Sequence, residues 1–210
     1  MGTDIDGFIE CRWDRWLDED DRRWFGAIDL VHLYNGRDYT AFGSLFGVRD
    51  SASFLPLAAH RGIPHDVSKE VQENLTGFEP WREELHSESW ITWAELTAAD
   101  WDEVASEVDN CVHEYHRSSD GSWTMHGRNT DLTRFTELSG LTDRRQLYCA
   151  GNVFPEGTEW PDGDRLFRVG RLRRKDAVPD DEWGAIWSVM RTLANLHGDD
   201  GVRLVVWFDG

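Results

Sequence analysis

Basic residues are scarce in this chain: 22 Lys and Arg stand against 40 Asp and Glu over 210 residues, a formal charge of −18. Such a field repels a polyphosphate backbone, so general DNA or RNA binding is not expected. Long apolar runs are missing too. No window approaches the roughly 20 residues that a membrane helix needs, and the N-terminus has no basic-then-apolar leader profile. The expected setting is therefore the cytoplasm, away from membranes. Cysteine is limited to Cys11, Cys111 and Cys149, widely spaced and odd in number, which fits reduced thiols better than a disulfide framework. No Cys-x-x-Cys pair suggests zinc. With 6 Pro and 40% hydrophobic residues the chain is too rich in core formers for disorder. Tryptophan is what abounds: 12 residues that can fill a core, each with an indole N–H that then needs a partner.

Alternation of period two marks the first element. Ile5, Gly7, Ile9 and Cys11 point one way, and Asp4, Asp6, Phe8, Glu10 and Arg12 the other, as in a strand with one apolar and one acidic face. Val202 to Phe208 is a β-branched and aromatic run, the pattern of a strand buried on both faces, expected to share a sheet with the first. Asp100 and Glu103 have capping-box spacing ahead of Val104, Val108, Cys111, Val112 and Tyr115, which predicts a helix over about 101–117. Pro179 opens a second, with Trp183, Ile186, Trp187, Met190, Leu193 and Ala194 as its buried stripe and His197-Gly198 as its end. Shorter helices are expected from Ser68 to Leu75 and from Leu132 to Leu138, and strands at 90–93, 146–149 and 166–172. Turn signals fall at Asn35-Gly36, Asp120-Gly121, Asp162-Gly163 and Asp199-Asp200-Gly201. The order reads as α+β. One compact domain over 1–210 is expected, with a mixed or antiparallel sheet holding both terminal strands and two main helices packed against it.

The opening Met1-Gly2-Thr3-Asp4-Ile5-Asp6 resembles an uncharacterised family of phage and actinobacterial proteins that begin Met-Gly-Cys/Thr-Asp-Ile-His. The likeness continues through Arg37-Asp38-Tyr39, Phe42-Gly43, Leu45 to Arg49, Arg61 to Pro64, Asp66 to Ser68, His86 to Thr92 and Val202 to Asp209. It implies a phage or prophage accessory protein, working in the host cytoplasm if phage-encoded. The stretch 115–178 stands outside the resemblance as a candidate variable insertion. Asp6 replaces the family's usual His, and a carboxylate there can hold a hard metal but is a poorer base near neutral pH.

Three constellations can carry chemistry. Asp4, Asp6 and Glu10 share a strand face, roughly 6.5–7 Å between i and i+2 positions, and His86 is the natural outside ligand for a divalent metal such as Mg²⁺ or Mn²⁺. The plainer alternative is a wet acidic sheet face. Arg37, Tyr39, Arg49 and Arg61 lie in Gly-containing loops, where guanidinium groups clamp phosphate or carboxylate or else tie the loops down. Arg171, Arg173, Arg174 and Lys175, near Arg144-Arg145, Trp160 and Phe167, can hold a nucleotide or form a solvated strand end. Trp90 and Trp93 are candidates for an aromatic ligand wall, and Trp13, Trp16 and Trp24 for a cap on the sheet or a pocket lining. His113 and His116 lack zincin spacing, and Ser87 and Ser89 lack a nucleophile elbow. The leading expectation is a protein that binds a small anionic or nucleotide-like ligand, or a host protein, with counter-defence as one setting. The alternative is a metal-dependent phosphoester hydrolase built on the acidic strand. Asp6→Asn separates them, since a metal site should respond sharply to lost ligand charge.

Overall fold

The computed structural model describes residues 2–12, 23–49, 53–77 and 84–210. In chain order the elements are β1 (Asp4–Arg12), β2 (Trp24–Asp29), α1 (Tyr39–Phe46), α2 (Lys69–Gly77), β3 (Leu85–Thr92) and α3 (Trp93–Ala98). Then come β4 (His113–Arg117), β5 (Trp123–Arg128), α4 (Leu132–Ser139), α5 (Arg144–Tyr148), β6 (Glu159–Asp162) and β7 (Arg165–Arg168). The chain closes with α6 (Arg174–Ala177), α7 (Asp180–His197) and β8 (Val202–Asp209). Two antiparallel sheets with flanking helices make this an α+β fold. Its contacts divide into two compact units, one of residues 1–50, 55–100 and 178–210, the other of 51–54 and 101–177. Among the described residues no helix is long and apolar enough to cross a membrane.

The first unit is organised by the terminal strands. β8 pairs antiparallel with β1 from Asp4↔Asp209 to Cys11↔Val202, in a sheet of order β2-β1-β8-β3. Residues opposite one another share a face, so Ile5, Ile9, Leu204, Val206, Phe208 and Ile91 form one apolar surface. Phe42 and Phe46 of α1 meet Phe208 there edge-on, with ring centroids 5.2 and 5.9 Å away. Helix α7 packs over β1 and β8 with Trp183, Ile186, Met190 and Ala194 buried, as its sequence stripe predicts. The other face carries Phe8, Val205, Trp207, Leu85 and Trp90 under Val71 and Leu75 of α2. Helix therefore covers both faces of a sheet whose centre, β8, is buried nearly end to end. At Gly7 the strands leave no room for a side chain, because a Cβ would lie 2.2 Å from the Val205 carbonyl oxygen.

The second unit is a sheet of order β5-β4-β7-β6. Its core joins Val112, Phe135, Ala150 and Phe167, with Trp160 and Phe154 against them. Asp131 caps α4 and left-handed Gly140 ends it where the sequence predicts. Gly121 and Gly163 adopt positive φ in the hairpin turns.

Two expected elements are replaced. The helix expected over about 101–117 does not form. Ala105 and Asp109 donate instead to the Leu172 and Gly170 carbonyls, Val104 bridges to Arg173, and residues 113–117 become β4. Segment 146–149 is not a strand, because the Asp143 carboxylate accepts from the N–H groups of Arg145 and Gln146 and starts α5.

Candidate functional site

The acidic face of β1 contains two different kinds of carboxylate. Glu10 is 0% exposed: its Oε1 accepts from the Ser68 N–H at 2.6 Å and its Oε2 from Arg203 Nε at 2.6 Å. Arg203 also donates to Asp66 at 2.8 Å, and Asp66 receives the Trp24 indole N–H at 2.9 Å. Asp4 is held by Arg37 through two donors, at 2.5 and 2.6 Å, which keep its carboxyl below the usual range. Asp6 has no such partner among the described residues. Burial, then Asp209, Asp29 and Asp4, push it up to about 6.

The expected metal set does not assemble. His86 pairs with Phe208, which pairs with Ile5, so His86 sits on the face opposite to Asp4, Asp6 and Glu10. Its ring stacks on Phe208 at 6.1 Å and its Nδ1 lies 3.0 Å from Ser87 Oγ, at a bulge where Ser87 takes positive φ. Both oxygens of Glu10 are occupied within the protein. Among the described residues no group of three or more His, Cys, Asp or Glu is arranged to hold a metal ion.

The loop arginines divide by position. Arg61 donates to the Leu57 and Trp90 carbonyls and to Glu95, and its guanidinium lies 5.0 Å from the Trp90 ring. Arg203 stands 3.9 Å from the Trp24 ring and 5.9 Å from that of Trp90, with Arg12 5.4 Å from Trp24. The result is an Arg12–Trp24–Arg203–Trp90–Arg61 ladder across the sheet, so the indole of Trp90 is stacked by the protein's own cations. Trp93 is half-buried at the first turn of α3, which a Thr92–Glu95 capping box begins. Trp13 and Trp16 lie outside the described residues. Arg49 donates to the Thr3 hydroxyl and covers the Tyr39 ring at 5.3 Å, while the Tyr39 hydroxyl accepts from the Thr3 N–H.

In the second unit the basic run is balanced internally. Arg171 pairs with Glu156, Arg173 and Lys175 with Asp102, and fully buried Arg174 with Glu103. Trp160 and Phe167 belong to the core. Sequence reasoning missed a buried polar cluster here. Asp109 receives Arg128 at 2.5 and 2.7 Å and sits 2.9 Å from His113 Nε2, while the Tyr115 hydroxyl is 3.5 Å from Nδ1. Hydrogen bonds from His113 and Arg128 overcome burial and hold Asp109 down at about 2. His113, placed by the sequence on a helix, lies on β4 and is 0% exposed. The two-residue spacing of His113 and Tyr115 is the available signal, legible once the segment is read as a strand.

Arg37 borders a recess. Residues Leu33, Tyr34, Asn35, Gly36, Arg37, Asp38 and Glu182 line an open concavity of about 540 Å³. Its loop is fixed from inside the unit. The Tyr34 ring lies 4.9 Å from that of Trp183, and its hydroxyl accepts from the Asp38 N–H at 3.1 Å. Asp38 in turn caps α1 by accepting from Thr40 and Ala41. Arg37 reaches back to Asp4 over Gly2, where a Cβ would lie 2.2 Å from Nη1. Its side chain is 54% exposed, and Nη1 makes no hydrogen bond among the described residues. The N–H groups of Asn35, Gly36 and Arg37 make none there either. Glu182 also lines the recess, and partial desolvation of its carboxyl, then Asp38 and Asp181, raise its pKa.

No protein-family model matches the chain, and no curated protein or solved structure is detectably similar to it.

Proposed function

We propose that this chain binds a small anionic or nucleotide-like ligand in the recess around residues 33–38. One observation carries the reading: three successive backbone N–H groups, at 35, 36 and 37, have no hydrogen-bond partner among the described residues, beside the open edge of a guanidinium that Asp4 holds in place. Successive main-chain donors next to an arginine suit a phosphate or carboxylate, and an anion docking there breaks no bond within the protein. The recess volume, about 540 Å³, is in the range of small-ligand sites. Glu182, in the same lining, offers an acceptor for hydroxyl or amino groups, as a carboxylate does for the ribose of a nucleotide. The resemblance of the opening and closing sequence blocks to phage and actinobacterial proteins supports an accessory role for this binding, such as counter-defence.

Titration calorimetry with inorganic phosphate, ribose 5-phosphate, AMP and adenosine tests the reading. Ribose 5-phosphate and AMP should bind, adenosine should bind far more weakly, and Arg37→Gln should lose roughly tenfold or more in affinity for the phosphorylated ligands. Absence of heat from every ligand, or equal binding of AMP and adenosine, would count against it.

A further inference from the structure

Two of the three cysteines are brought together by the second unit. Both peptide groups flanking Cys111 are tied to the chain around Cys149. The Asn110 carbonyl, which precedes Cys111, accepts from the Gly151 N–H at 2.9 Å. The N–H that follows, at Val112, donates to the Asn129 side chain at 3.1 Å, and the same carboxamide donates at 3.0 Å to the Tyr148 carbonyl, which adjoins Cys149. The two backbones pack closely, since a Cβ on Gly151 would lie 1.9 Å from the Asp109 carbonyl oxygen. Both cysteines are partly exposed and carry free thiols, and Cys149 lies close enough to act electrostatically on the Cys111 thiol.

We infer that Cys111 and Cys149 are a disulfide-forming pair, able to close a reversible cross-link between the β4 approach and the end of α5. A disulfide requires Cα atoms roughly 4.4–6.8 Å apart, a separation that hydrogen bonds on both sides of Cys111 favour. Oxidised glutathione is the co-reactant. The thiolate of Cys149 attacks one of its sulfurs, forming a mixed disulfide and releasing one glutathione thiolate. Cys111 then gives up its proton, attacks the Cys149 sulfur and expels the second glutathione. In total two protein thiols lose two electrons and two protons, and one glutathione disulfide becomes two thiols. Cys149 acts first because burial pushes the Cys111 thiol up to about 11 and keeps it protonated. Cys111 leaves its Sγ contact with Asn110 Oδ1, 3.3 Å long, to make the new bond.

The test is to treat reduced full-length protein with oxidised glutathione, then measure intact mass and map peptides without reduction. The expected product is lighter by two hydrogen atoms, links the peptides of Cys111 and Cys149, and returns to starting mass with dithiothreitol. Cys11→Ser should give the same product, and Cys111→Ser should stop at a stable glutathione adduct on Cys149. A wild-type protein that stops at that adduct, pairs either cysteine with Cys11, or keeps all thiols free would overturn the inference. Because mapping is done on the wild type, the result stands whether or not a serine variant folds.

Discussion

Replacing Asp6 with Asn should stabilise the protein at neutral pH and do nothing in acid. Asp6 sits half-buried, with Asp4 on its own strand, Asp29 on β2 and Asp209 on β8, and its carboxyl is pushed from 3.8 up to about 6. A carboxyl raised on folding favours the folded state while it is protonated. That favour is complete below the unfolded value and lost as pH rises through about 6. A shift of about two units at 1.36 kcal/mol each bounds the effect near 3 kcal/mol, and solvent screening of a half-exposed group brings it to about 1–2 kcal/mol. Asn keeps the shape and cannot ionise. Its melting temperature at pH 7.5 should therefore exceed that of the wild type by roughly 2–8 °C, with the gain largely lost by pH 4 and gone below about pH 3. Thermal unfolding by circular dichroism at half-unit pH steps, without divalent ions, measures this. A gain equal at pH 7.5 and pH 4, or a loss at pH 7.5, would refute the reasoning. A variant that differs from wild type only when Mn²⁺ is added would point back to a metal site.

Glu10→Gln leaves buried Arg203 without its nearest carboxylate and should cost about 3 kcal/mol in urea unfolding, whereas a loss under 1 kcal/mol would mean the pair is not fixed. Gly7→Ala drives a methyl group against the Val205 carbonyl and should cost about 2–3 kcal/mol, read as faster hydrogen exchange in β1 and β8. Asp109, held at about 2, supports the second unit above pH 4, and that support fades as pH falls toward 2. Asp109→Asn should remove this acid dependence from β4 hydrogen exchange and lower protection at pH 7.

The terminal strands, α7, α2 and α4 were legible because local pattern and tertiary use agree: period two in β1, an unbroken apolar run in β8, a helical stripe ending at Gly198. Segment 101–117 misled for a physical reason. Asp102 and Glu103 resemble helix-start acids, yet they receive Lys175, Arg173 and Arg174. Val104, placed on the buried stripe by its spacing, is 52% exposed. A real capping box at Thr92-x-x-Glu95 lay within reach, hidden because Trp90 to Trp93 reads as strand. The face of His86 could not be counted from the sequence, since the bulge at Ser87 breaks the alternation on which such counting depends. The acidic strand could be seen, but its division into a buried ion pair, a clamp on Arg37 and, among the described residues, one carboxyl without an ion-pair partner depends on Arg203 and Arg37, each more than 30 residues from the carboxylate it holds. The recess depends likewise on Glu182 meeting the 33–38 loop.

The most direct test of ligand binding is to follow the backbone amide resonances of Asn35, Gly36 and Arg37 by NMR while AMP is added. Saturable shifts of these three signals, absent with adenosine and weakened in Arg37→Gln, are the predicted result. Shifts confined to other parts of the chain, or none at millimolar AMP and ribose 5-phosphate, would contradict the proposal that this loop is the binding site.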